Sequence, residues 1–155
     1  MTQGIQPASG VVESIVQEII IQAPAARIFT ALTDPAQLLE WWFIEGKFRA
    51  THAACDPRPG GVWSMRVQGS CGEASCTVVT GRYVEVDPPH RLSFTWLREE
   101  EDYPESLVLW ELEEMGSETL VRVTHSGLIS EEMRNRNNGW PLIQPLLKAF
   151  VEIDA

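Results

Sequence analysis

With 155 residues and 22 acidic against 12 basic side chains, the chain carries a net charge of −10, which excludes the basic surface that nucleic acid or an anionic membrane requires. A hydrophobic content of 44% over this length makes one domain with one real core. Three cysteines, no apolar run long enough to span a bilayer, and no basic-then-apolar leader in Met1–Gly10 point to a reducing, cytoplasmic setting.

Met1 to Gly10 is small, polar and Gly/Pro-containing and is expected to be loose, so the folded domain is read as residues 11–155. From Val11 to Ala23 the chain alternates, with Ile15, Ile19 and Ile21 on one face, which predicts a strand with that face inward. Pro24 opens a short helix carrying Ile28, Phe29 and Leu32. Thr33-Asp34-Pro35 breaks it, and Asp34 can cap a second short helix that runs to about Glu40 and delivers Trp41-Trp42-Phe43.

From Phe48 onward the pattern is antiparallel. Phe48 to Cys55 reads as an edge strand and Asp56–Gly61 as a rigid Pro/Gly turn. Val62–Val67 places Trp63, Met65 and Val67 on one face. After a turn at Gly69–Gly72 comes a longer strand, Ser75–Asp87, with Gly81 as a bulge or close-approach point. His90–Leu97 sets Leu92, Phe94 and Trp96 together, and Ser106–Glu113 does the same for Val108, Trp110 and Leu112. Thr119 to His125 is the last strand. Ser130 is a reasonable N-cap for a short helix, and Trp140–Ile153 carries one apolar helical stripe. Pro145 must either kink that final helix or delay its start.

A bent antiparallel sheet has one apolar face to cover, and a single sizeable helix leaves part of it open. The inward residues Trp63, Met65, Phe94, Trp96, Val108 and Trp110 therefore either line a cavity or plug it. Trp42 and Phe43 are expected to form one lip of that cavity, with Trp41 packing outside. His125, at a strand end, and Trp140, at the start of the last helix, complete the expected ligand-contacting set.

Several short motifs recur in a particular order. They are Ile19-x-Ile21-x-Ala23-Pro24, Ala31-Leu32-Thr33-Asp34-Pro35, Trp41-Trp42 and Asp56-x-Arg58-x-Gly60-Gly61. Gly81-x-Tyr83-x-Glu85-Val86-Asp87-Pro88-Pro89, Phe94-Thr95-Trp96, His125-Ser126-Gly127-Leu128 and Gly139-Trp140 follow. From about residue 12 to the end, this order resembles the START-like (SRPBCC) superfamily, and most closely its branch of homologues of the heat-shock-protein-90 ATPase activator. The resemblance implies an α+β helix-grip fold: a curved antiparallel sheet of about seven strands, two short helices after the first strand, and a C-terminal helix over a hydrophobic cavity. It also implies relatives that include lipid carriers and polyketide cyclases and aromatases, so the fold implies a pocket and not a reaction. The short C-terminal helix with its Pro145 departs from the pattern and bears on cavity depth.

Other constellations carry less. His52, Cys55, Cys71 and Cys76 are a zinc-type set, but the strand Val62–Val67 holds their turns about 20 Å apart, too far for one tetrahedral site or a Cys55–Cys71 disulfide. No metal or cofactor is expected. Glu99-Glu100-Glu101-Asp102 reads as a solvated loop. Arg58 either meets an acidic ligand group or pins a neighbouring carboxylate.

The expected activity is binding of a small hydrophobic molecule, with no catalytic residue assigned. The first alternative is a cyclase- or aromatase-type enzyme, which needs His125, His52 or Glu85 inward and close together. The second is a co-chaperone-like interaction module, for which no chaperone-binding segment is evident. Homodimerisation through a sheet edge or the aromatic mouth stays open.

Overall fold

The computed structural model describes residues 14–69, 72–99 and 102–153. Strand β1 (Ser14–Ile21) is followed by helices α1 (Ala25–Thr33) and α2 (Pro35–Trp41). Seven strands come next: β2 (Phe43–Ile44), β3 (Phe48–Cys55), β4 (Val62–Gly69), β5 (Gly72–Asp87), β6 (Arg91–Arg98), β7 (Ser106–Met115) and β8 (Glu118–Ser126). Helices α3 (Glu131–Arg136) and α4 (Trp140–Glu152) close the chain. The expected loose segment Met1–Gly10 lies outside the described residues.

The strands form one antiparallel sheet in the order β1-β8-β7-β6-β5-β4-β3-β2. The first strand thus pairs with the last, from Ser14 opposite Ser126 to Ile21 opposite Thr119. The described sheet has eight strands where about seven were expected. The extra one is β2, whose two residues pair with Phe48 and Arg49. Gly46, at φ 80°, makes the tight return possible, and two residues are too few to show any periodicity. Register shifts at Thr51 and Val84 bend the sheet by inserting one residue opposite none.

Local chemistry explains the helix starts. The Asp34 carboxylate accepts from the Ala36 N–H and Pro35 holds the first position of α2. Ser130 Oγ accepts from the Met133 N–H to start α3. In α4 the helix begins at Trp140 and runs through Pro145, so the proline does not delay it. Pro145 cannot donate to the carbonyl four residues back, which belongs to Pro141; both prolines are exposed, so water can serve that carbonyl.

The core lies between the concave face of the sheet and α1, α2 and α4, with Ile28, Trp110, Val121, Leu147 and Val151 almost wholly buried. Helix α4 packs against β1, α1 and α2. The Gln144 amide ties it down by donating to the carbonyls of Gln17 and Val121 at 3.1 and 3.3 Å. The helix therefore sits over the β1–β8 end, and the concave surface of β3–β5 extends beyond it. On the opposite face an ion ladder crosses five strands: Glu85–Arg91, Arg91–Glu111, Glu111–Arg122 and Arg122–Glu18, at 3.2, 2.8, 3.5 and 2.7 Å. No described helix is long and apolar enough to cross a membrane.

Candidate functional site: an apolar pocket beside an aromatic plug

Trp63 begins the site. Its indole N–H donates to the Thr95 carbonyl at 3.0 Å, reaching across the neighbouring strand at Gly81. A Cβ on Gly81 would lie 1.9 Å from that carbonyl oxygen and 2.6 Å from the indole nitrogen, so only glycine leaves the passage open. Trp63 then packs on Phe94 and Trp96, with ring centroids 5.0 and 5.6 Å apart. Trp96 meets Trp140 at 5.4 Å, and Trp140 meets Trp110 and Trp42 at 5.8 and 6.2 Å.

This aromatic run divides the space under the sheet in two. Around Trp63, Phe94, Trp110 and Tyr83 only about 30 Å³ remains, the share of a single water. Beyond the plug, between β3–β6 and the start of α4, a pocket of about 270 Å³ opens. Trp42, Met65, Trp96 and Trp140 stand on its wall, joined by Phe48 and Ile143. The tryptophans therefore play two parts: Trp63 and Trp110 fill the interior, while Trp42, Trp96 and Trp140 face the opening.

Phe43, Val108 and His125 face neither space. Phe43 is covered by the Arg49 guanidinium, 3.9 Å from its ring centroid, because β2 turns it to the far side of the hairpin. Val108 is fully buried opposite His125 in the β7–β8 ladder. Trp41 departs from its expected outward position. It is 3% exposed, and its indole donates to the Ala31 carbonyl at 2.9 Å, because α2 folds back onto α1.

His125 is fully buried behind Trp96 and Trp140. The Trp140 indole can only donate, so its 3.2 Å contact makes His125 Nδ1 an acceptor. The ring proton therefore sits on Nε2 and is donated to Ser106 Oγ at 2.7 Å. The Ser106 hydroxyl in turn donates to the Trp96 carbonyl at 3.2 Å. Burial pushes the histidine down to about 4, so the ring is neutral at pH 7. A serine and a histidine at this distance invite a nucleophile–base reading, but the tautomer has the wrong direction, and no carboxylate among the described residues is hydrogen-bonded to the ring. The pair ties β6, β7, β8 and α4 together.

The other candidates separate. His52 is exposed on β3, and Glu85 is held by Arg91 in the outer ladder, so neither joins His125. Arg58 is held by Asp56 at 2.9 Å within its own exposed turn. That turn braces the rim, since Gly60 N–H donates to the Tyr83 carbonyl and Tyr83 N–H to the Gly61 carbonyl, both at 2.8 Å. Cys55 and Cys76 are free thiols, and Cys71 lies outside the described residues. Burial pushes the Cys55 thiol up. Among the described residues no three His, Cys, Asp or Glu side chains gather as a metal site.

Sequence reading missed part of the wall. Val79 pairs with Met65 and Thr77 with Val67, so strand pairing, once known, would have placed both. Ile143 lies one helical turn beyond Trp140, a usable signal. Asn137 had none: its side chain accepts from the Trp96 indole at 3.0 Å and donates to the Met133 carbonyl at 2.8 Å, a geometry that only the folded chain defines.

A family model described as Activator of Hsp90 ATPase homolog 1-like protein matches residues 22–152. Among solved structures, the chain is similar to the AHSA1 protein from Silicibacter pomeroyi, at 24% identity and a TM-score of 0.78 over 92% of this chain and 99% of that one. It is similar to CalU16 from Micromonospora echinospora at 27% identity and a TM-score of 0.66, over 89% and 75% of the two chains. It is also similar to an AHSA1-like protein from Aeromonas hydrophila at 22% identity and a TM-score of 0.74, over 91% and 93%. No curated protein matches the sequence.

Proposed function

Since this chain belongs to the family of Activator of Hsp90 ATPase homolog 1-like proteins, built on the START/SRPBCC fold, we propose that it binds a small hydrophobic molecule in the pocket beside α4. One observation carries the reading: a space of about 270 Å³ whose wall is mostly apolar and whose Trp96 and Trp140 N–H groups are already bonded within the protein. Such a wall offers a ligand contact area without leaving polar groups stranded. The volume lies near the lower end of ligand pockets, roughly 300–1,000 Å³, which points to a compact ligand.

The enzyme alternative has less behind it, because His52, Glu85 and His125 do not converge. The co-chaperone alternative draws on the family's description alone. The test is calorimetric titration with 2-acetylnaphthalene, a compact neutral probe, against the natural chain and an Ile143→Trp variant that fills the pocket. Saturable binding lost in the variant is the expected result. No binding, or binding unchanged by the filled pocket, overturns the proposal.

A further inference from the structure

All three asparagines of the chain, Asn135, Asn137 and Asn138, fall where α3 gives way to α4, and Gly139 follows the last of them. Asparagine is a thermolabile residue, because the next peptide nitrogen can attack its side-chain carbonyl. Two of the three are guarded. Asn135 lies within α3, where the helical backbone turns the following nitrogen away from the side chain. Asn137 is 7% exposed, and its amide is held by the Trp96 indole and the Met133 carbonyl. The N–H that follows it donates to the Asn135 carbonyl at 3.4 Å.

Asn138 lacks each of these guards. It is exposed and lies outside both helices. Neither its side-chain amide nor the Gly139 N–H has a hydrogen-bond partner among the described residues. Gly139 brings no side chain to crowd the attack, and a Cβ added there would meet nothing within 4 Å.

We propose that Asn138 is a self-modification site at the pocket rim, converting to aspartate and isoaspartate, and that the isoaspartate form weakens the pocket's hold on its ligand. The Gly139 nitrogen bonds to the Asn138 side-chain carbonyl carbon, and the amide nitrogen leaves as ammonia with the proton from Gly139. Water then opens the five-membered imide at either carbonyl. One opening gives aspartate on an unaltered main chain, its charge near the start of α4, where a helix favours an anion. The other gives isoaspartate, which routes the main chain through the side-chain carbon and lengthens it by one atom. Residue 138 alone is placed to absorb that atom. Asn137 is pinned to Trp96 and Met133, and the Gly139 carbonyl accepts from Leu142 and Ile143 at 2.9 and 3.1 Å to begin α4. Trp140, on the pocket wall, comes next and shifts with the start of the helix. The effect on the pocket rests on the reading above; the chemistry does not.

The test ages the full chain in warm, mildly alkaline buffer and follows each asparagine by peptide mapping with an isoaspartate-specific methyl label. Asn138 should convert at least tenfold faster than Asn135 or Asn137. Gly139→Ala should slow it at least tenfold, since a methyl fits the fold but crowds the attack. The isoaspartate form, isolated by chromatography, should bind 2-acetylnaphthalene severalfold more weakly than fresh protein, while Asn138→Asp binds it as fresh protein does. Conversion of Asn138 no faster than that of the other two overturns the site assignment and leaves the pocket reading standing. An isoaspartate form that binds like fresh protein overturns the coupling alone. Failure of fresh protein to bind the probe overturns the pocket reading and the coupling together, and the mapping, which needs no ligand, still decides the chemistry.

Discussion

The Trp140 indole gives its proton to Nδ1 of His125, 3.2 Å away in the protein interior. This bond fixes the histidine's tautomer and, through it, the position of a residue on the pocket wall. A protonated His125 would turn Nδ1 into a donor facing a donor. Burial makes the folded state resist protonation down to a pKa of about 4, against 6.5 for a free histidine. Below pH 6.5 the unfolded chain takes a proton that the folded chain does not, so stability is full above that value and falls as pH drops towards 4. The loss amounts to about 3 kcal/mol across the window. Urea unfolding at several pH values should show this slope, and His125→Gln should flatten it relative to the natural chain.

Gly81 stands where Trp63 and Thr95 meet. An added methyl would strike the Thr95 carbonyl first, at 1.9 Å, and the indole second. Gly81→Ala should cost about 3 kcal/mol, at the upper end of overpacking. Trp63→Phe in the same chain should fail to rescue it, because the nearer obstacle is backbone. Recovery in the double variant, measured by denaturant midpoints, would contradict this geometry.

Plug and wall should respond oppositely. Trp110 is 1% exposed and surrounded, so Trp110→Ala should lose about 3–5 kcal/mol of stability. Trp42 is only half-buried and borders the opening, so Trp42→Ala should cost much less stability while weakening the binding of 2-acetylnaphthalene several-fold. Paired melting and titration curves separate the two roles.

Glu111 bridges Arg91 and Arg122 in the outer ladder. Its side chain is 31% exposed, so the network is screened by water and salt. Glu111→Gln should cost no more than about 1 kcal/mol, and the penalty should shrink in 0.5 M salt without any change in ligand binding.

Much of the fold was legible because period-two alternation survives wherever one face of a strand is buried. Leu92, Phe94 and Trp96 on β6 announced themselves in that way, as did the Asp34-Pro35 start of α2. What alternation does not report is depth. Trp63 and Trp96 have the same residue type and both lie on inward faces, yet one lies in the plug and the other on the wall, a difference set by where α4 stops covering the sheet. Adjacency misled at Trp41-Trp42: the two residues do face different ways, but the fold-back of α2 puts Trp41, not Trp42, in the deepest position. Ser106 and Asn137 were invisible for another reason, since their partners lie 19 and 41 residues away.

The closed hydrogen-bond accounts of Trp96 and Trp140 have a consequence for selectivity. A wall with few open donors reads a tail by length rather than by pattern. Along a homologous series of ligands, affinity should climb by about 0.8 kcal/mol with each buried methylene and then stop abruptly where the Trp63–Trp110 plug begins. The plug thus acts as a ruler, and moving it by a single substitution would reset the longest chain the protein accepts.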